Sequence, residues 1–117
     1  MGNRKVQVAP KEQLGDFQQL VLLAVLRLGE RAYAVPIREE IERQTGRSVS
    51  RGAVYLTLDR MEEKGYLQSW MGEPTAERGG KAKRFYQVQR SGVALLRQSR
   101  QSLLQMWQGL DHFLGNA

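Results

Sequence analysis

Apolar residues follow two periods along this chain, and the switch between them marks out its elements. From Asp16 to Gly29 the residues Phe17, Leu20, Val21, Leu22, Leu23, Val25, Leu26 and Leu28 leave almost no polar side, predicting a helix covered on most of its surface. Asp16 is placed to cap this helix, with Gln19 completing a capping box and Gly29 ending it. Pro36 suits the first turn of a second helix, in which Ile37 and Ile41 form a stripe, Glu39 and Glu40 lie near the positive end and Gly46 is the stop. Ser50 caps a third helix that runs to Gly65. On its wheel Leu58 and Met61 fall within about 40 degrees of Val54, so these three form the buried face. The turn Arg47 to Val49 between the second and third helices is that of a helix-turn-helix.

Beyond Gly65 the period shortens towards two. Tyr66 to Met71 and Arg84 to Val88 are rich in aromatic or β-branched residues and predict a hairpin, its long tip spanning Gly72 to Lys83 with Pro74, Gly79 and Gly80. Helical spacing then returns from Ser91 to Phe113, about 33 Å of helix. Along it Val93, Leu96, Arg100, Leu103, Trp107, Leu110 and Leu114 step by three and four, the seam of a coiled coil. Few elements remain to cover that seam, which predicts a second subunit against it, with Phe17 and Leu20 of the first helix joining the interface. The fold class expected is mainly α with a small β-hairpin, a winged helix-turn-helix plus a C-terminal dimerisation helix. The domains expected are a flexible basic arm over residues 1–13, the winged helix-turn-helix domain over 14–90 and the dimerisation helix over 91–117.

Charge sharpens this picture. The 117 residues carry 18 Lys and Arg against 12 Asp and Glu, a net +6, which favours a polyanionic partner: nucleic acid first, an anionic membrane surface second. Arg78, Lys81, Lys83, Arg84 and Arg90 fall within thirteen residues that contain no acid, so one local basic strip accounts for most of the excess. There is no cysteine and a single histidine, His112, which excludes disulfides and thiolate metal sites and points to a reducing cytoplasm with no cofactor. The most apolar stretch, Leu20 to Leu26, is about a third of a membrane span. The acids Glu39, Glu40, Glu62 and Glu63 are expected at helix ends or on solvated faces, which argues against an enzyme.

With Val54, Leu58 and Met61 turned inward, the start of the third helix leaves Ser50, Arg51, Gly52 and Tyr55 outward. A helix N-terminus offers free N–H groups and partial positive charge, and Gly52 removes the side chain that keeps a backbone away. Arg51 suits a guanine edge or a phosphate, Tyr55 a phosphate or a thymine methyl, and Ser48 and Ser50 phosphates. Arg78, Lys81, Lys83 and Arg84 on the glycine-rich tip suit a backbone or the minor groove. Two alternatives to duplex DNA remain at this point: RNA, or a protein partner gripped by the wing.

The stretches GAVYLTLDRMEEKGYL and ERGGKAKRFYQVQRSGVALL resemble the PadR family of bacterial winged-helix transcriptional regulators, over about residues 14 to 110. The resemblance implies a homodimeric repressor that binds double-stranded DNA. Gly52 and Tyr55 match the recognition-helix motif, and Gly79, Gly80, Lys83, Arg84 and Tyr86 match the wing. Leu56 departs from the pattern, standing where a proline is frequent, and a single terminal helix is a feature of the short subfamily. Some short members resemble drug sensors that admit flat aromatic compounds between subunits, which makes Trp107 a candidate contact for a small aromatic effector.

Overall fold

A computed structural model of the chain describes residues 13–73 and 82–115. Helix α1 (Asp16–Leu28) is followed by a 3-10 turn (Gly29–Arg31), α2 (Ala34–Thr45), α3 (Arg51–Glu63), strands β1 (Leu67–Met71) and β2 (Arg84–Val88), α4 (Arg90–Trp107) and the short α5 (Asp111–Leu114). Leu22 from α1, Ile37 from α2, and Leu58 and Met61 from α3 are wholly buried where the three helices meet. Each such side chain contributes about 1.5–3 kcal/mol relative to exposure. Val54 completes the inward face of α3, as its spacing predicts.

The hairpin pairs Leu67 with Val88 and Met71 with Arg84 in an antiparallel ladder. Its inner face sets Leu67 and Tyr86 into the core, and Tyr86 N–H donates to Ala32 C=O at 2.9 Å, attaching β2 to the segment before α2. Tyr66, expected in the first strand, instead closes α3: its N–H donates to Met61 C=O at 2.9 Å, after Gly65 turns the chain at φ 82°.

Several details differ from the sequence expectation. The N-cap of α1 is Gly15, whose N–H donates to Gln18 Oε1 at 2.9 Å, not Asp16 paired with Gln19. Asp16 lies inside the first turn and pairs with Arg47 at 2.6 Å, joining α1 to the turn between α2 and α3. Nor is α1 covered on most sides, for Leu23 and Leu26 remain exposed. α2 starts early enough that Glu39 and Glu40 fall beyond its first turn. Glu40 is only 5% exposed, and Arg43 and Gln44 on the same helix hold its carboxylate, so it is neither terminal nor solvated.

The terminal helix is not continuous. Gly109 takes φ 82° and the regular turns stop at Trp107, because that left-handed conformation ends the hydrogen-bond ladder before the four residues of α5. At the other end α4 is pinned: Gln89 N–H donates to Tyr66 C=O at 2.8 Å and Ser91 Oγ to Gly65 C=O at 2.7 Å. Gly92 is buried there, and a Cβ on it would lie 2.7 Å from Tyr66 O and 2.9 Å from Val88 Cγ1. Backbone cannot yield as a flexible side chain can. Gly92→Ala should therefore destabilise the fold by about 1–3 kcal/mol, despite the better helix propensity of alanine, and denaturant titration measures this.

Candidate nucleic-acid interface

The first turn of α3 is built to be stiff and bare. Val49 is the only buried residue of the turn Arg47 to Val49, and α2 grips its backbone from both sides. Arg38 Nε donates to Val49 C=O at 2.6 Å, and Val49 N–H donates to Glu42 Oε2 at 2.8 Å. Ser50 Oγ accepts Ala53 N–H at 3.1 Å, and the helical bonds begin with Val54 N–H to Ser50 C=O. The amides of Arg51 and Gly52 precede that bond and lie at the positive end of the helix.

Ser48, Ser50, Arg51 and Gly52 are all exposed, as is Tyr55 at 46%. A Cβ built on Gly52 would meet nothing within 4 Å, and its φ is not positive. Neither internal packing nor backbone strain asks for glycine there; only an outside surface would benefit. Leu56, the departure from the family pattern, continues the helix without a break and is exposed.

The wing presents its described cations beside this turn. Tyr33, Ala34, Val35, Tyr55, Asp59, Ala82, Lys83, Arg84 and Tyr86 line one cleft of about 330 Å³, so Tyr55 of α3 and Lys83 and Arg84 of the wing face a common space. Lys83 Nζ sits 5.3 Å from the centre of the Tyr33 ring, a cation–π contact. Arg84 Nη1 donates to Ser69 Oγ at 3.0 Å, and that hydroxyl donates to Glu62 Oε2 at 2.6 Å. Glu62 is thus not merely a solvated acid but the α3 end of a chain that crosses both strands. Arg78 and Lys81, with Gly79 and Gly80, lie outside the described residues.

Sequence reasoning missed the supporting residues: Arg38, Glu42, Tyr33, Asp59 and Ser69. All act through tertiary contacts, and none carries a local signal beyond being polar or aromatic. Tyr86, matched to the wing by resemblance alone, is 3% exposed and belongs to the core.

Of the seven residues expected at a subunit interface, Leu103, Trp107, Leu110 and Leu114 are exposed, whereas Phe17 and Leu20 are half-buried against the core. Leu96 is buried within the protomer itself, because the first turns of α4 lie against its own domain. Among the described residues no His, Cys, Asp or Glu cluster could hold a metal ion, and no helix is long and apolar enough to cross a membrane.

Burial pushes the Tyr86 phenol above its ordinary value of 10.0; Asp59 adds to the shift and Arg84 opposes it. The neutral phenol is the favoured form, so its contribution to stability is complete below about pH 10 and declines as pH rises towards the higher folded value. Tyr86→Phe should flatten the alkaline loss of stability above pH 10 and leave the neutral-pH slope unchanged, as denaturant midpoints across that range would show.

Comparison with known proteins agrees with this geometry. No curated protein matches the sequence. Among solved structures, a PadR family regulator from Eggerthella lenta is similar at 22% identity over 85% of this chain and 84% of that one, with a TM-score of 0.61. One from Clostridium difficile is 24% identical over 82% of this chain and 98% of its own, with a TM-score of 0.60. A PadR-like regulator from Bacillus cereus is 18% identical over 86% and 93%, with a TM-score of 0.64. These likenesses give the winged-helix fold. The model of the transcriptional regulator PadR-like family matches residues 22–98, which run from the middle of α1 through α2, α3 and both strands to the middle of α4. The chain belongs to the PadR-like family of transcriptional regulators, DNA-binding proteins and not enzymes.

Proposed function

We propose that the protein is a homodimeric, sequence-specific repressor that binds an inverted-repeat operator in double-stranded DNA. The observation that carries this reading is the bare first turn of α3, where Gly52 opens outward beside Arg51 and Tyr55 while the wing cations Lys83 and Arg84 flank the same helix. α3 enters the major groove, Arg51 reads a base edge, Tyr55 and the Ser48 and Ser50 hydroxyls touch phosphates, and Lys83 and Arg84 of the wing, together with Arg78 and Lys81, contact the backbone. Ser50 Oγ already accepts Ala53 N–H, but its proton remains available to a phosphate oxygen.

The second subunit covers the tail. Along α4 the apolar stripe is buried at Leu96 and then runs bare through Leu103 and Trp107. Leu104, Met106, Leu110, Phe113 and Leu114 are also exposed. Such a strip is far more apolar than a monomer's surface requires, and a second copy of the same tail covers it. Two-fold symmetry then spaces the recognition helices about 34–36 Å apart, one turn of the duplex. A planar effector seated at Trp107 between subunits releases the operator only by binding the released form more tightly.

Gly52→Ala should leave folding intact, or raise its stability by up to about 1 kcal/mol, while DNA affinity falls. Arg51→Ala should cost about 1–3 kcal/mol and blur one base position, whereas Lys83→Ala should weaken all sequences alike and lower the salt slope by about one. Selection from random duplexes followed by titration over a salt series checks all three; failure to enrich an inverted repeat removes the sequence-specific reading, and a preference for RNA would replace it. Leu103→Asp with Trp107→Asp should yield a folded monomer by sedimentation, since both side chains are exposed in the protomer.

A further inference from the structure

A large cavity lies behind the wing, lined by no residue of α3 or of the tail. Val25, Leu26, Gly29 and Glu30 form one wall, and Trp70, Gly72, Phe85, Tyr86, Gln87 and Val88 the other. Its volume, about 670 Å³, falls in the range of sites that take small organic molecules.

Trp70 and Phe85 are cross-strand partners on the outer face of the hairpin, stacked with centroids 6.2 Å apart and planes 25° from parallel. Phe85 is fixed on its other side by the edge of Tyr33, at 5.5 Å. Gly72 lies directly under the Phe85 ring, since a Cβ there would come within 2.5 Å of Phe85 Cε2. Phe85 is therefore held from three directions. Trp70, at 44% exposure, is left as a broad aromatic surface that the protomer does not finish covering.

Charge then selects the occupant. The chain carries a net +6, and its wing is basic, yet Glu30 is the only ionised side chain in the lining, and no ion pair or hydrogen bond holds its carboxylate among the described residues. An anion would gain nothing here. A flat aromatic ring spreads over Trp70 by offset stacking, and positive charge on it is attracted both by the indole face and by Glu30 at the rim. We infer that the cleft between the C-terminal end of α1 and the outer face of the hairpin binds a planar aromatic cation of two to four fused rings, with Trp70 as the platform and Glu30 as the counter-ion. This site is separate from Trp107, and the inference stands or falls without any DNA.

The test is equilibrium dialysis of the full chain against 10-methylacridinium, with unprotonated acridine at mildly basic pH as the neutral counterpart of the same shape. The cation should bind saturably at one molecule per chain and several-fold more tightly than acridine. Trp70→Ala should abolish that binding, and circular dichroism should show the fold retained, as expected for a half-exposed side chain. Glu30→Gln should remove the preference for the cation and leave acridine binding unchanged. Binding that survives Trp70→Ala, or a preference for the cation that persists in Glu30→Gln, would overturn the assignment, as would no saturable binding at all.

Discussion

The grip of α2 on Val49 is the contact on which the placement of α3 depends. A turn between two helices has backbone groups that neither helix satisfies, and left to water they would allow α3 to pivot about its own start. Arg38 takes the Val49 carbonyl and Glu42 its amide, while the Val49 side chain is drawn into the core. Both side chains are long and partly solvated, so their mutual charge attraction at 3.8 Å is weak; their value lies in direction, not energy. The Arg47 to Asp16 pair adds a third tether from α1. Because the turn is held from two helices, the first turn of α3 can afford to be bare.

A second device sets the wing relative to α3. Ser69 donates to Glu62 and accepts from Arg84, so one hydroxyl joins the far end of the recognition helix to both strands. Serine suits that place because its hydroxyl donates and accepts at once. Arg84 spends one of its N–H groups on this link and keeps the others, which makes it a cation with a fixed root and not a freely swinging one. Lys83, resting over Tyr33, is restrained in the same spirit. Ordering these side chains in advance reduces the entropy they would lose in the proposed contact with a phosphate backbone.

Much of the frame was legible in the sequence. The stripe Val54, Leu58, Met61, the stop at Gly65 and the β2 boundaries follow from periodicity and turn chemistry, which are local. What escaped were features fixed by partners distant in the chain. Asp16 looked like a cap until Arg47, thirty-one residues away, took its carboxylate. Glu40 looked solvated because a charge in an amphipathic pattern normally is, and only the packing of α1 over α2 buries it in the second turn. The seam through Leu110 and Leu114 assumed unbroken helix, and a single glycine with positive φ ended it. At the proposed interface, the outward positions Ser50, Arg51, Gly52 and Tyr55 were readable from a wheel and are exposed; Tyr33 and Ser69, which restrain Lys83 and Arg84, were not, since a half-buried tyrosine and a relay serine have no spacing of their own.

The stripe on α4 changes character halfway, from a surface satisfied by its own domain at Leu96 to one that is not at Leu103 and Trp107. Under the proposed pairing, a head whose core is closed within one chain is joined to a tail that closes only against a second copy, and its occupancy is governed by mass action. In dilute solution a paired form grows as the square of the amount of chain present. Pairing of that kind would turn a twofold change in how much protein a cell makes into about a fourfold change in the paired species, a steepness that no residue of α3 or the wing encodes.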